Sequence, residues 1–157
     1  MDNLVSSIYK ATEFIESNLS RKITLDEIAD ACYISKYHLH RAMSAVARRP
    51  LMDYVRARRL ASSLDMLLQS SHSILHIAQE YGFEYEQSYI RAFVSEYGMT
   101  PSKFRKGCFT VNLTEKINIA EFIQLDNGIV FETGFVLKPA FYLVERIPSS
   151  SNRLTSQ

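Results

Sequence analysis

The chain has 157 residues, 46% hydrophobic and 22% charged, with a formal net charge of +1, the composition of a folded globular protein and not of a disordered one. It has no run of about 18 apolar residues, which excludes a helical membrane span. Its opening stretch MDNLVSSIYKATEF does not read as a secretory signal, and its two cysteines, Cys32 and Cys108, make neither a disulfide framework nor a metal site, so a cytoplasmic protein is expected.

Apolar residues at Leu4, Val5, Ile8, Ala11, Ile15 and Leu19 recur at helical spacing and predict a first helix ending near 18–20. Thr24 and Glu27 form a capping box, which starts a short second helix from Leu25 to about Cys32. Tyr33 and Ile34 make a turn, and Ser35 caps a third helix from Lys36 to about Ala47. A long linker helix follows over about 51–68, carried by Leu51, Val55, Leu60, Leu64, Leu67 and Leu68. Ser73 caps a fifth helix to Tyr81, which Gly82 ends as a left-handed cap. A sixth helix runs from about Glu86 to Tyr97 and stops at Gly98. Thr100 and Pro101 start a last short one to Lys106.

The sequence repeats itself. IADACYIS at 28–35 resembles IAQEYGFE at 77–84, an offset of 49. Arg41-Ala42-Met43 matches Arg91-Ala92-Phe93, and Tyr54 matches Phe104, at an offset of 50. The second unit therefore carries one extra residue in its turn. Each unit is a short helix, a tight turn, a longer helix and a basic segment. That order is the helix-turn-helix motif, with Ile34 and Phe83 packing inside the turns and the small Ala29 and Ala78 allowing close approach.

Charge follows the repeat. Residues 36–59 hold seven Lys or Arg against Asp53 alone, and residues 91–106 hold Arg91, Lys103, Arg105 and Lys106 against Glu96. Residues 60–90 between them contain no Lys or Arg. Two motifs, each with a basic cluster, point to nucleic acid. A linker helix of about 18 residues at ~1.5 Å rise spans ~27 Å, compatible with the ~34 Å between successive major-groove faces. Arg56, Arg58 and Arg59 either solvate the linker helix or reach phosphate. The stripe Tyr81, Tyr85, Tyr89, Phe93 and Tyr97 reads as core rather than as a stacking platform. His38 with His40, and His72 with His76, lack carboxylate or thiolate partners for a metal, and Asp65 and Glu80 have no catalytic partner. No enzyme and no cofactor are expected.

The stretches ITLDEIADACYISKYHLHRAM, YVRARRLASSLDMLL, SILHIAQEYGFEYEQSYIRAF and YGMTPSKFR resemble the DNA-binding domain of the AraC/XylS family of bacterial transcription regulators, over residues 4–106. The likeness is strongest to the multidrug and stress-response branch. It implies a mainly α fold: a seven-helix bipartite double helix-turn-helix domain at 4–107, with a first motif at about 25–46 and a second at about 74–97. It implies a monomer that places two recognition helices in adjacent major grooves of double-stranded DNA and contacts RNA polymerase. Carried over by position, the base-reading residues are Tyr37, His40 and Arg41 in the first motif and Glu86, Gln87 and Arg91 in the second. Arg pairs bidentately with guanine and Gln with adenine, and an aromatic edge meets a thymine methyl. Lys36, Arg48, Arg49 and Lys103 are expected on phosphates. The sequence departs from the family pattern at Tyr33 in the first turn and at Glu86 in the second motif.

Residues 108–114, CFTVNLT, alternate like a strand, and FETGFVLKPAFYLVERI resembles the opening of a gyrase-inhibitor-like effector domain. A short C-terminal β-rich extension, a partial effector-like segment at 108–147, is expected, followed by a disordered tail at 148–157. A small-molecule effector stays open. No residue beyond Lys106 completes a helix-turn-helix, so the extension is expected to be dispensable for DNA binding. The competing reading is a truncated interaction module, an antagonist of a longer regulator without productive DNA binding.

Overall fold

The computed structural model describes residues 4–119. Seven helices follow in order: α1 (Leu4–Ser17), α2 (Leu25–Cys32), α3 (Lys36–Ala47), α4 (Leu51–Gln69), α5 (Ile74–Glu80), α6 (Glu86–Tyr97) and α7 (Pro101–Lys106). The chemistry that starts four of them is visible at the cap. The Thr24 side chain accepts from the Glu27 amide while the Glu27 carboxylate accepts from the Thr24 amide, a complete capping box. Ser35, Ser73 and Thr100 accept from the amides of His38, His76 and Lys103. Each such bond satisfies an amide that the helix itself leaves unpaired.

Two cores form, one on each half of α4. Ile8, Ile15, Ile28, Leu39, Met43, Leu51 and Val55 are buried together from α1 to the first half of α4. Leu60, Leu67, Ile77, Tyr89, Phe93 and Phe104 are buried together from its second half to α7. Phe83, Tyr89, Phe93, Tyr97 and Phe104 meet ring edge to ring face or at a tilt, with centroids 4.8 to 5.7 Å apart. The Tyr89 hydroxyl lies 2.8 Å from Ser63 Oγ, which bonds in turn to the Leu60 carbonyl. Burial pushes the Tyr89 pKa up to about 12, so the phenol stays protonated in the core. The expected aromatic stripe is thus core at Tyr89, Phe93 and Tyr97 but not at Tyr85, which is 63% exposed as the residue before α6.

The internal repeat is a repeat of backbone. Tyr33 and Gly82 take the same left-handed conformation, with φ of 58° and 74°. Arg48 and Gly98, at the ends of α3 and α6, pair likewise at 56° and 73°. The extra residue of the second unit lies between Gly82 and the start of α6, as the shift in offset requires.

One expectation needs correction. Residues 108–118 carry no strand, and no strand occurs among the described residues. An alternating pattern makes a strand only beside a partner strand. Here the segment runs as irregular chain across the helices, and its apolar residues Val111, Ile117 and Ile119 pack onto the two cores. The remainder of the expected extension, 120–147, and the expected disordered tail at 148–157 lie outside the described residues.

Candidate nucleic-acid interface

The second helix of each motif presents one face to its core and the other to solvent. On α3, Leu39 and Met43 are buried, while Tyr37, His40 and Arg41 are exposed, Tyr37 at 73%. On α6, Tyr89 and Phe93 are buried, while Gln87 and Arg91 are exposed. The offset of 50 makes Tyr37 the counterpart of Gln87, and Arg41 the counterpart of Arg91. Each pair sits four residues apart, so both members share a face.

Two of the six expected base-reading residues fall off this register. His40 stands opposite Ile90 in the repeat, at the edge of the exposed face. Glu86 is half-buried at the first position of α6, seven residues before the buried Phe93 and so on nearly the same side of the helix. Tyr85 gives that helix no side-chain cap, and Glu86 is the acid in its first turn. A carboxylate there stabilises the positive end of the helix dipole.

An open cleft of about 680 Å³ lies between the α3–α4 turn with the first half of α4 and the outer side of α6, lined by Arg48, Arg49, Arg56 and Arg91, by Ser88 and Ser95, and by Asp53 and Glu96. Ser88 and Ser95 were absent from the sequence reading. Their spacing of three and four residues from Arg91 was the signal that could have named them. The four expected phosphate-binding residues divide. Arg48 and Lys103 are exposed. Lys36 pairs with Asp26 at 3.0 Å, both ends open to solvent, a bond of little energy. Arg49 is committed elsewhere: its guanidinium donates to both oxygens of Glu96, at 2.9 and 3.1 Å, partly buried.

The three arginines of the linker helix also divide. Arg58 donates through Nε and Nη2 to Glu16 of α1, both bonds 2.8 Å, with side chains only 14% and 18% exposed. Arg59 reaches the Arg21 carbonyl at 2.6 Å and the Gly82 carbonyl at 3.4 Å, joining the α1–α2 loop to the second turn. Arg56 pairs with Asp53 on the exposed side of the cleft. Arg105 is likewise turned inward, donating to the carbonyls of Leu67 and His72. His72 and His76 stack at 4.4 Å, and no cluster of three metal-binding side chains occurs among the described residues.

A helix-turn-helix family model matches residues 28–107, from within α2 of the first motif through the linker helix and the whole of the second motif. The Escherichia coli multiple antibiotic resistance protein MarA is 30% identical over 99 residues, 63% of this chain and 78% of MarA. The chain belongs to the AraC/XylS family of transcription regulators. The HTH-type regulator YbfP of Bacillus subtilis is 33% identical over 99 residues, and the match spans 63% of this chain but only 34% of that protein. In three dimensions the fold is that of the DNA-binding domain of AdpA, solved in complex with a target DNA, with a TM-score of 0.60 over 63% of this chain and 89% of that one at 16% identity. As an AraC/XylS regulator the chain is a DNA-binding transcription regulator. No helix among the described residues is long and apolar enough to cross a membrane.

Proposed function

We propose that α3 and α6 enter successive major grooves on one face of the DNA, with Tyr37, Arg41, Gln87 and Arg91 reading base edges and His40 at the margin of the first contact. The support is the common register of these pairs on two exposed helix faces, with Arg91 on the second and Arg48 just after the first lining one basic cleft. A 19-residue α4 at ~1.5 Å per residue separates the motifs by ~28 Å, against the ~34 Å of a helical turn. Lys36, Arg48, Arg56 and Lys103 neutralise phosphates. Arg49 is left out of that set because Glu96 holds it, and Glu86 is left out of the base-reading set because it serves the dipole of α6. The protein docks as a monomer and contacts RNA polymerase, as the resemblance to the multidrug and stress-response branch implies, and it activates transcription, in keeping with its 32% identity to the HTH-type transcriptional activator AarP of Providencia stuartii. The last helix of the DNA-binding unit ends at Lys106, and the effector-like segment expected after it is left without a ligand.

Selection from a random duplex library, followed by footprinting, tests the reading. The expected protected region covers about two turns of DNA. Arg41→Ala and Arg91→Ala are each expected to cost ~1–3 kcal/mol and to relax preference at one base pair. Equal loss on every sequence would make these arginines phosphate contacts and overturn the assignment.

A further inference from the structure

The chain does not leave the surface where the last helix ends. Beyond Lys106, the Phe109 ring stacks on Phe104 at 6.2 Å, and Val111 packs on the second core. The Thr114 hydroxyl then donates to Glu96 Oε1 at 3.2 Å, while the Thr114 carbonyl accepts from Arg58 Nη1 at 2.6 Å. The Ile117 amide donates to the Tyr54 hydroxyl at 3.2 Å, Lys116 pairs with Glu13 of α1, and Ile117 and Ile119 pack on the first core. Residues 108–119 therefore touch both lobes and cross the linker helix between them.

Glu96 connects this segment to the docking face. Its Oε1 accepts from both Thr114 Oγ1 and Arg49 Nη1, and its Oε2 from Arg49 Nη1 again. Arg49 follows the left-handed cap of α3, and Glu96 lies in the last turn of α6. The ion pair thus ties the end of one exposed helix to the end of the other, and Thr114 restricts the rotamers of the carboxylate that makes it. Holding a side chain before it pairs removes part of the entropy the pair would otherwise lose. On α4, Tyr54 and Arg58 bond to the segment, whereas Asp53, Arg56 and Leu60 line the cleft. At about 100° per residue these two sets point in different directions, so the segment holds the lobes without occupying the cleft.

We propose that residues 108–119 form a strap that sets the spacing and angle between α3 and α6, with Thr114 and Tyr54 as positioning residues for DNA docking. Two helices joined by one α4 must meet two grooves at once. A few degrees of freedom between the lobes would misplace one when the other is seated. The strap is then part of the docking geometry. This inference rests on the two-groove reading.

The test uses the full 157-residue chain, the isosteric double variant Tyr54→Phe/Thr114→Val, and Thr114→Ser as the variant that keeps the hydroxyl. Three duplexes are compared: the site selected by the wild type, the same site with one base pair added between its halves, and a single half-site. The double variant is expected to bind the selected site about 3–10-fold more weakly and to discriminate less between the two spacings, with half-site affinity unchanged. Thr114→Ser should behave as the wild type. Equal losses on all three duplexes would reduce the strap to general stability, and unchanged spacing preference would remove its role; either overturns the proposal. If the wild type itself protects only one turn or ignores spacing, the two-groove reading fails first and takes the strap with it.

Discussion

At the scale of single residues, the two motifs solve one turn in two ways. Gly82 and Tyr33 occupy equivalent positions with φ of 74° and 58°. A Cβ on Gly82 would lie 3.0 and 3.1 Å from the carbonyl oxygens of Leu19 and Arg21, backbone atoms that cannot rotate away. Tyr33 faces open solvent at 83% exposure, with the Lys10 ammonium 5.7 Å from its ring centre. The left-handed conformation costs a side-chain-bearing residue ~1–2 kcal/mol, offset in part by the extra chain entropy that a glycine loses on folding. Tyr33→Gly is therefore expected to raise stability, by up to about 1 kcal/mol. Gly82→Ala, strained and crowded, is expected to lower it by ~1–3 kcal/mol. Urea denaturation midpoints measure both, and equal signs would contradict the account. Arg48 is the third residue in this list, left-handed at the mouth of the cleft where its counterpart is Gly98. The strain there accompanies an exposed guanidinium that lines the cleft.

At the scale of elements, helix ends were the most legible feature of the chain. Ser35, Ser73, Thr100 and the pair Thr24/Glu27 name their helices because a short side chain that caps an amide does so locally, with no help from the rest of the fold. The fifth helix ends at Glu80, one residue before the expected Tyr81. The capping box carries a pH dependence. The bond from Arg21 and the Thr24 amide hold Glu27 below its ordinary pKa of 4.5. A carboxyl depressed on folding contributes stability above its unfolded pKa and loses it as pH falls through the folded one. Glu27→Gln is thus expected to be less stable than the wild type at about pH 7, with the difference shrinking as pH falls through the lowered pKa of Glu27. Thermal melts of the two proteins across that range check it, and a difference that persists at low pH would assign the loss to packing. The strand expected at 108–114 shows the opposite case: alternation depends on a neighbour, and no neighbouring strand is there among the described residues.

At the scale of the whole molecule, charge in the sequence and charge on the docking face are different quantities. Eleven Lys and Arg side chains lie at 36–59 and 91–106. Arg49, Arg58, Arg59 and Arg105 spend their donors on Glu96, on Glu16 and on backbone carbonyls, which leaves seven. Each phosphate neutralised lowers the slope of log affinity against log salt by about 0.9, so the slope is expected to be no steeper than about −6. Anisotropy titrations between ~50 and 200 mM salt measure it. A steeper slope would mean that the internal pairs, Arg49–Glu96 first, open on DNA.

The sequence by itself determined the seven helices, their caps, the doubled motif and the family, because each of these rests on a local pattern of side chains or on a repeat that can be read along one chain. It also determined the exposed pairs Tyr37–Arg41 and Gln87–Arg91, since a helix of known register has a known outer face. The same register puts Glu86, seven residues before Phe93, toward the buried side of α6. Tertiary structure alone decided which arginines point inward. Arg56, Arg58 and Arg59 look alike in sequence, and only the position of Glu16 on α1 and of the carbonyls at Arg21 and Gly82 separates them. It alone laid residues 108–119 across both lobes, because the partners that hold them, Glu96, Arg58 and Tyr54, lie 18 to 63 residues away along the chain and meet only in the folded molecule.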